Sequence, residues 1–185
     1  MKNQYQKLLK MSLWTVIVAF SIRCALTWQA IVNDFSVYNL WGYAGEAIGF
    51  ASVFVILYER CLWRINPFEK TPKLAQKYTG TLISHYDNTE RPATIEIHQT
   101  LFSIKVFTTT SESKSASLSA SIDDFLGETQ LTYCYLNTPK TAYRHRSEVH
   151  YGTAILCIKD PQELTGQYYT DRKTLGDMTF TAVSK

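Results

Sequence analysis

The chain divides into two stretches with different hydrophobic periods. Residues 11–22 (MSLWTVIVAFSI) are almost continuously apolar, and after Arg23 the apolar character resumes through CALTWQAIV to Val32. That total of about 22 residues suffices to cross a hydrocarbon core of about 30 Å at 1.5 Å per residue. A second run of the same kind extends from Leu40 to Tyr58 (LWGYAGEAIGFASVFVILY). A signal peptide is a poor alternative for the first run. Its apolar stretch is too long, no small-residue cleavage site precedes a soluble chain, and the second run is left unexplained. Residues 1–65 are therefore read as a transmembrane helical hairpin with spans of about 11–32 and 40–62.

Residues 66–77 (NPFEKTPKLAQK) contain two prolines and read as a linker. Beyond them the period becomes two. Ser115, Ser117, Ser119 and Ser121 alternate with Ala116, Leu118, Ala120 and Ile122, which predicts a strand with one wet and one dry face. Phe102, Ile104 and Val106 alternate with Ser103 and Lys105 in the same manner. Eight strands are predicted, near 78–86, 92–98, 101–109, 114–124, 129–136, 148–159, 163–171 and 176–183. Turn signals separate them: Asp87-Asn88, Gly127, Asn137-Thr138-Pro139, Asp160-Pro161 and the run Asp171–Gly176. Eight short antiparallel strands with no helix between them predict closure, which removes exposed edges. The expected fold of 78–185 is a minimal, lipocalin-like, eight-stranded antiparallel up-and-down β-barrel that can hold side chains or one small ligand. A two-sheet sandwich is the alternative. An outer-membrane barrel is excluded by the retained helical spans and by the serine-rich face of residues 115–121.

Charge distribution gives the hairpin a direction. Residues 1–77 hold nine Lys/Arg against four Asp/Glu, a net of +5, and the remainder holds ten against twelve, a net of −2. The basic surplus therefore flanks the membrane segment. No basic stripe marks the β half as a binder of a nucleic-acid polymer. Lys2, Lys7 and Lys10 precede the first span; Arg60, Arg64, Lys70, Lys73 and Lys77 follow the second; the connection Asn33–Asn39 has none. The positive-inside rule places both termini in the cytoplasm of a bacterial inner-membrane protein. Trp14, Trp28, Trp41 and Trp63 fit interfacial belts.

Two charges interrupt the spans. Arg23 lies nine residues before Val32 and Glu46 six residues after Leu40. Their depths are roughly 13 and 9 Å from the outer ends at 1.5 Å per residue. They could pair within the hairpin or between protomers, or snorkel separately. Gly42, Gly45 and Gly49 stand among further small residues in the second span, which suits close helix approach.

The β half carries no catalytic motif: no GxSxG, P-loop, HExxH or partnered carboxylate pair. An enzyme is not expected, nor a cofactor. Cys24, Cys61, Cys134 and Cys157 are spaced neither for disulfides nor for a metal, and metal ligation is not expected. Tyr133, Tyr135, Tyr143, Tyr151, Tyr168 and Tyr169 crowd the last four strands and their connections; Arg144, His145 and Arg146 sit in the long loop before the sixth strand, and Arg172 and Lys173 at the last hairpin. Tyrosines stack on nucleobases and arginines bind phosphate, although tyrosine is also an ordinary strand former.

The order of segments resembles the two-transmembrane, β-strand-rich effectors of CBASS, the cyclic-oligonucleotide-based anti-phage signalling systems of bacteria. The resemblance runs through YTGTL (78–82), IEIHQT (95–100), TTTSESKSASLSA (108–120), LTYCYLNTP (131–139), HYGTAIL (150–156) and LTGQYYTDRKTLGDMTF (164–180), the last being the most specific. It implies a barrel that senses a cyclic dinucleotide made by a neighbouring nucleotidyltransferase. It further implies ligand-promoted self-association and inner-membrane disruption, with abortive infection as the outcome. A ligand with two phosphates and two bases calls for cations beside aromatic faces. The candidates are Arg172 for phosphate, Thr170 as hydroxyl donor, Tyr169 or Tyr151 for stacking, and His150. Strand alternation sets Thr170 and Tyr169 on opposite faces, so both point inward only if the hairpin twists. A membrane-tethered binder of an apolar ligand, favoured by a wholly apolar cavity, is one alternative. A non-sensing assembly scaffold, favoured by a filled core, is the other.

The charge pattern makes a direct prediction about topology. A reporter fused after Lys185 should read as cytoplasmic and one inserted at Ser36 as periplasmic. The reverse result would place the barrel out of reach of a cytosolic messenger.

Overall fold

A computed structural model describes residues 2–145 and 147–183, with side chains from Gln6 onward. Arg146, the side chain of Lys2 and the fusion point Lys185 lie outside the described residues. The chain forms two compact units, Met1–Lys70 and Thr71–Lys185.

The first unit is helical: α1 (Lys2–Leu26), α2 (Trp28–Asn33) and α3 (Val37–Arg60). Gln6–Leu26 and Val37–Arg60, 21 and 24 residues, are long and apolar enough to cross a membrane. The helix expected to continue to Val32 breaks at Thr27. There the backbone amide and the side-chain hydroxyl both donate to the Arg23 carbonyl, at 3.2 and 2.8 Å, a local competition that bends helices. α1 packs against α3, and the buried positions of α3 are Ala47 and Ala51. Arg23 and Glu46 meet inside this hairpin, with Nε donating to Oε2 at 2.6 Å. The guanidinium also lies 4.5 Å from the Tyr43 ring centroid, so each polar group carries a partner through an apolar segment. Gly42, Gly45 and Gly49 lie elsewhere on α3: a Cβ added at any of them meets nothing within 4 Å.

The second unit is the expected closed barrel: β1 (Lys77–Ser84), β2 (Thr89–Gln99), β3 (Ile104–Thr110), β4 (Ser113–Phe125), β5 (Glu128–Pro139), β6 (His150–Asp160), β7 (Glu163–Thr170) and β8 (Leu175–Ala182). Each strand pairs antiparallel with its neighbour in sequence, and β8 closes on β1 from Tyr78↔Ala182 to Ser84↔Gly176. Inward positions of the half nearest the start of β1 make a dry core of Tyr78, Ile95, Ile97, Val106, Leu131, Leu156, Leu164 and Phe180, all at or below 1% exposure. That end is stoppered by the residues just before β1. Leu74 is buried, its amide donates to Gln99 Oε1 at 3.0 Å, and Gln99 Nε2 donates to the Pro72 carbonyl at 2.8 Å.

β4 departs from the simple alternation. Its register shifts between Ser117 and Ser119, so one residue is added and the phase of side chains flips. Ala120 and Ile122 pack on the core as expected. Before the bulge the faces are reversed: Leu118 is 65% exposed and Ser115 lines the interior. The β3–β4 ladder pairs only Phe107↔Ala116 to Thr109↔Lys114. At its end the Ser117 hydroxyl accepts the Val106 amide at 2.9 Å, satisfying a donor the bulge would orphan.

The Tyr78 hydroxyl ties the stopper to the barrel. It donates to the Pro161 carbonyl at 2.6 Å and accepts the Ala75 amide at 2.9 Å. Tyr78→Phe should therefore cost about 1–3 kcal/mol, the usual loss when buried partners go unsatisfied. Chemical denaturation of the detergent-purified protein measures it, and a loss below the error of the method would mean that water replaces the hydroxyl.

Candidate functional site

At the end of the barrel opposite the stopper, the inward positions change character. Leu82 and Met178 give way to Thr108, Ser115, Asn137 and Thr170 around a cavity of about 380 Å³. The volume falls within the range of about 300–1,000 Å³ usual for small-molecule sites. Three inward tyrosines, Tyr133 and Tyr135 of β5 and Tyr168 of β7, line it. The Tyr133 and Tyr135 rings are 5.9 Å apart and tilted by 47°. Two glycines make room for this layer. A Cβ on Gly152 would collide with the Tyr135 ring, and one on Gly176 would lie 2.8 Å from Tyr168 Cε1. A side chain at Gly152 would displace the Tyr135 ring, whereas one at Gly176 would first meet the Ile83 carbonyl oxygen of β1.

The cations at the site differ in how firmly they are held. Arg172, in the β7–β8 turn, donates from Nη1 to Ser147 Oγ at 3.0 Å. Arg91, early in β2, forms a fork with Asp87 of the β1–β2 turn: Nη2 to Oδ2 at 2.5 Å and Nη1 to Oδ1 at 3.2 Å. Its Nε faces Glu112 Oε2 at 3.6 Å, beyond hydrogen-bond reach. The Arg91 hydrogen bonds hold the Asp87 carboxyl well below the usual carboxylate range, and Asp87 in turn raises the Arg91 guanidinium. Among the described lining residues the formal charges balance: Arg91 and Arg172 against Asp87 and Glu112, with His150 as the further titratable base.

A hydrogen-bond chain fixes the His150 tautomer. The Glu148 carbonyl, 2.9 Å away, accepts only, so Nδ1 carries the proton. Nε2 of the neutral ring is then an acceptor for Asn137 Nδ2 at 3.2 Å. That orientation leaves Asn137 Oδ1 buried with no hydrogen-bond partner among the described residues. A buried orphan acceptor beside a cavity is suited to receive an N–H or O–H from a ligand.

Of the residues singled out from sequence, the cavity gathers His150, Thr170 and Arg172. Thr170 is buried and its hydroxyl is within 2.6 Å of Thr174 Oγ1, so it also closes the hairpin turn. Tyr151 and Tyr169 point outward, 58% and 52% exposed, and do not line the cavity. The hairpin does not twist to admit both Thr170 and Tyr169. Alternation holds, and with Thr170 inward the aromatic of the same face is Tyr168. Period two alone therefore selects Tyr168 once Thr170 is known to be inward, and Tyr135 and Tyr133 follow only through the register Thr170↔Gly152↔Tyr135. Asp87, Arg91 and Glu112 have no such signal, because turns and a strand start bring them together from three separate segments.

An up-and-down barrel with a polar, ligand-sized cavity, preceded by two span-length apolar helices, defines a receptor domain carried on a helical hairpin. Residues 69–182 match the family described as Cap15, cyclic dinucleotide receptor domain, and the chain belongs to that family. CD-NTase-associated protein 15 of Staphylococcus schleiferi is 25% identical over 185 residues, which cover 96% of this chain and 97% of that protein. The resemblance to two-transmembrane CBASS effectors is thereby borne out.

Burial pushes the Tyr133 hydroxyl up to about 12 from its ordinary 10.0, against a smaller opposing effect of Thr108. The Tyr135 hydroxyl is raised too, first by burial. A group whose folded value is raised stabilises fully below its unfolded value and loses that contribution as pH climbs through the folded one. Barrel stability should therefore fall between pH 10 and about 12, as tyrosines of the unfolded chain ionise first. Denaturant melts across that window should show a shallower fall in Tyr133→Phe, and identical slopes would show that Tyr133 ionises without opening the fold.

Proposed function

We propose that this protein is a messenger-gated membrane effector of anti-phage defence without enzymatic activity of its own. In this reading a cytosolic cyclic dinucleotide, supplied by a partner nucleotidyltransferase, binds in the barrel. The bound barrels self-associate, and the hairpins, anchored in the inner membrane with both termini cytoplasmic, then disrupt the bilayer and cause abortive infection. The observation that carries it is the cavity itself: two arginines, three tyrosine faces and an orphaned amide oxygen converge at one end of a receptor-family barrel. These are the partners that phosphates, bases and a base or ribose donor require. A wholly apolar cavity would suit a lipid-like ligand, and a filled core would suit a scaffold. A mouth lined with threonine, serine and charged groups suits neither.

Arg172 is the phosphate contact that needs least rearrangement, since its described hydrogen-bond partner is a serine hydroxyl. Arg91 is the second cation. Because the cavity mouth and the chain's entrance into β1 lie at opposite ends of the barrel, the ligand does not act by pulling on the linker directly. Mass action supplies the coupling: a ligand that stabilises barrel–barrel contact raises the local concentration of hairpins. The open Gly42, Gly45 and Gly49 face of α3 suits association between hairpins, since backbones approach closely where no side chain intervenes. Arg23 and Glu46, paired within one hairpin, can exchange for pairs between protomers and draw water into the membrane.

Calorimetry with cyclic di-GMP, cyclic di-AMP and cyclic GMP–AMP on the detergent-purified protein should show binding of at least one, weakened at least about tenfold by Arg172→Ala through loss of a charge-assisted contact. Gly45→Leu with Gly49→Leu should preserve that binding and membrane insertion yet reduce killing in cells supplied with the messenger. Unchanged affinity removes Arg172 from the site, and full killing by the glycine variant removes the α3 face from the output.

A further inference from the structure

Beyond the end of α3 at Arg60, the first part of the expected linker is not extended chain. A 3-10 turn, Leu62–Arg64, comes first. Bonds between residues three apart continue from it: the Ile65 amide donates to the Leu62 carbonyl at 3.0 Å, and the Glu69 amide to the Asn66 carbonyl at 3.4 Å. Side chains three apart lie on one side of such turns. Two series with that spacing run through the segment. Trp63, Asn66 and Glu69 form one, and Leu62, Ile65 and Phe68 form the other.

The polar series is turned inward and the apolar series outward. Trp63, expected in an interfacial belt, is fully buried. Asn66 Nδ2 donates to the Tyr58 hydroxyl of α3 at 2.6 Å, and Asn66 Oδ1 accepts the Phe68 amide at 2.9 Å. Glu69 accepts from Lys7 Nζ of α1 at 2.7 Å, and only 9% of its side chain is exposed. Leu62, Ile65 and Phe68, by contrast, are 40%, 80% and 89% exposed. Contact with water favours the reverse arrangement, since it is apolar area that water expels. A carboxylate tucked in beneath an exposed phenylalanine fits a surface that meets lipid.

We propose that Leu62–Lys70 is a lipid-docking foot, in which Leu62, Ile65 and Phe68 enter the boundary between headgroups and acyl chains of the leaflet where α3 ends. The proposal rests on the reading of α3 as a membrane span. Two observations select a bilayer surface as the occupant. The foot continues directly from a helix long and apolar enough to cross a membrane, so it starts where the hydrocarbon core gives way to headgroups. Its charge also complements anionic lipid: Arg60, Arg64 and Lys70 outnumber Glu59 and Glu69, and Lys7 already offsets Glu69. Apolar anchors with cationic neighbours are the pattern of segments that lie in the interface. In sequence, only Lys70 and Thr71 separate the foot from Pro72, whose carbonyl is bound by Gln99 in the stopper. The foot is thus the last membrane-bound point before the receptor domain.

The test uses the full chain with Cys24, Cys61, Cys134 and Cys157 replaced by alanine, in nanodiscs of phosphatidylethanolamine and phosphatidylglycerol. One cysteine is added at a time, as Ile65→Cys, Val53→Cys or Tyr86→Cys, and labelled with a small fluorophore. All three positions are exposed: Val53 on α3, and Tyr86 in the β1–β2 turn at the far end of the barrel. Lipids spin-labelled near the headgroup should quench the fluorophore at 65 at least about fivefold more than at 86. Lipids labelled deep in the acyl chain should quench it at 53. Adding Phe68→Glu, at a position exposed enough to spare the fold, should cut the quenching at 65 about twofold or more by removing a neighbouring anchor. Quenching at 53 with none at 65 would overturn the foot and leave the span intact, whether water or another protein surface covers Ile65. Quenching at 65 unchanged by Phe68→Glu would overturn the foot as a unit. No quenching at 53 would defeat the spanning reading, and this proposal with it.

Discussion

Closing β8 onto β1 leaves an interior only wide enough for the side chains of eight strands. Every inward position is then shared between a core that must be dry and a cavity that must be wet. The molecule solves this by length along the barrel. Tyr78, Ile95, Leu131, Leu164 and Phe180 fill one half to exclusion of solvent, and the other half holds a cavity lined by Thr108, Ser115, Asn137 and Thr170. Stability comes from the dry half, which frees the wet half to carry groups that pack badly, including an orphaned amide oxygen and a cation held by turn residues. The bulge in β4 lies at the boundary between the halves, where one added residue converts a serine-lined mouth into an alanine- and isoleucine-lined core.

The same separation appears in the electrostatics. Among the described residues, the charges that face the barrel interior lie at the mouth, where partial hydration limits the cost of burying them. Arg91 is oriented by a carboxylate two turn residues from its own strand, so its placement depends on the β1–β2 hairpin and not on the core. Arg172 likewise depends on the β7–β8 hairpin, whose turn is closed by the Thr170 and Thr174 hydroxyls. Both cations therefore sit at the rim, outside the packed half. That is a suitable arrangement for a receptor domain: rim geometry can respond without unfolding the scaffold.

The helical hairpin follows a related logic. Its internal contact uses Ala47 and Ala51 together with the Arg23–Glu46 pair, and its glycines are left on another side of α3. Packing within the hairpin thus leaves the glycine side of α3 unused. A substitution at Gly45 or Gly49 therefore does not enter the internal contact.

Much of this was legible in the residues themselves. Long apolar runs need a membrane or a core to bury them, and period-two patterning with turn residues between strands specifies a sheet whose edges must close, so the two helices, eight strands and up-and-down order follow from local chemistry. The Arg23 and Glu46 depths likewise allowed their pairing. What local pattern could not decide was phase and convergence. Ser115 and Leu118 reverse their expected faces because a bulge adds one residue, an event that leaves no mark in an alternating Ser/Ala stretch. Tyr168, not Tyr169, enters the cavity because closure and the Thr170 turn fix which face is inner. Asp87, Arg91 and Glu112 assemble a charged mouth from two turns and a strand start. Sequence determined which residues could form a membrane hairpin and a barrel; only the closed tertiary structure decided which side chains share the interior, because that depends on register around the whole ring and not on any one strand.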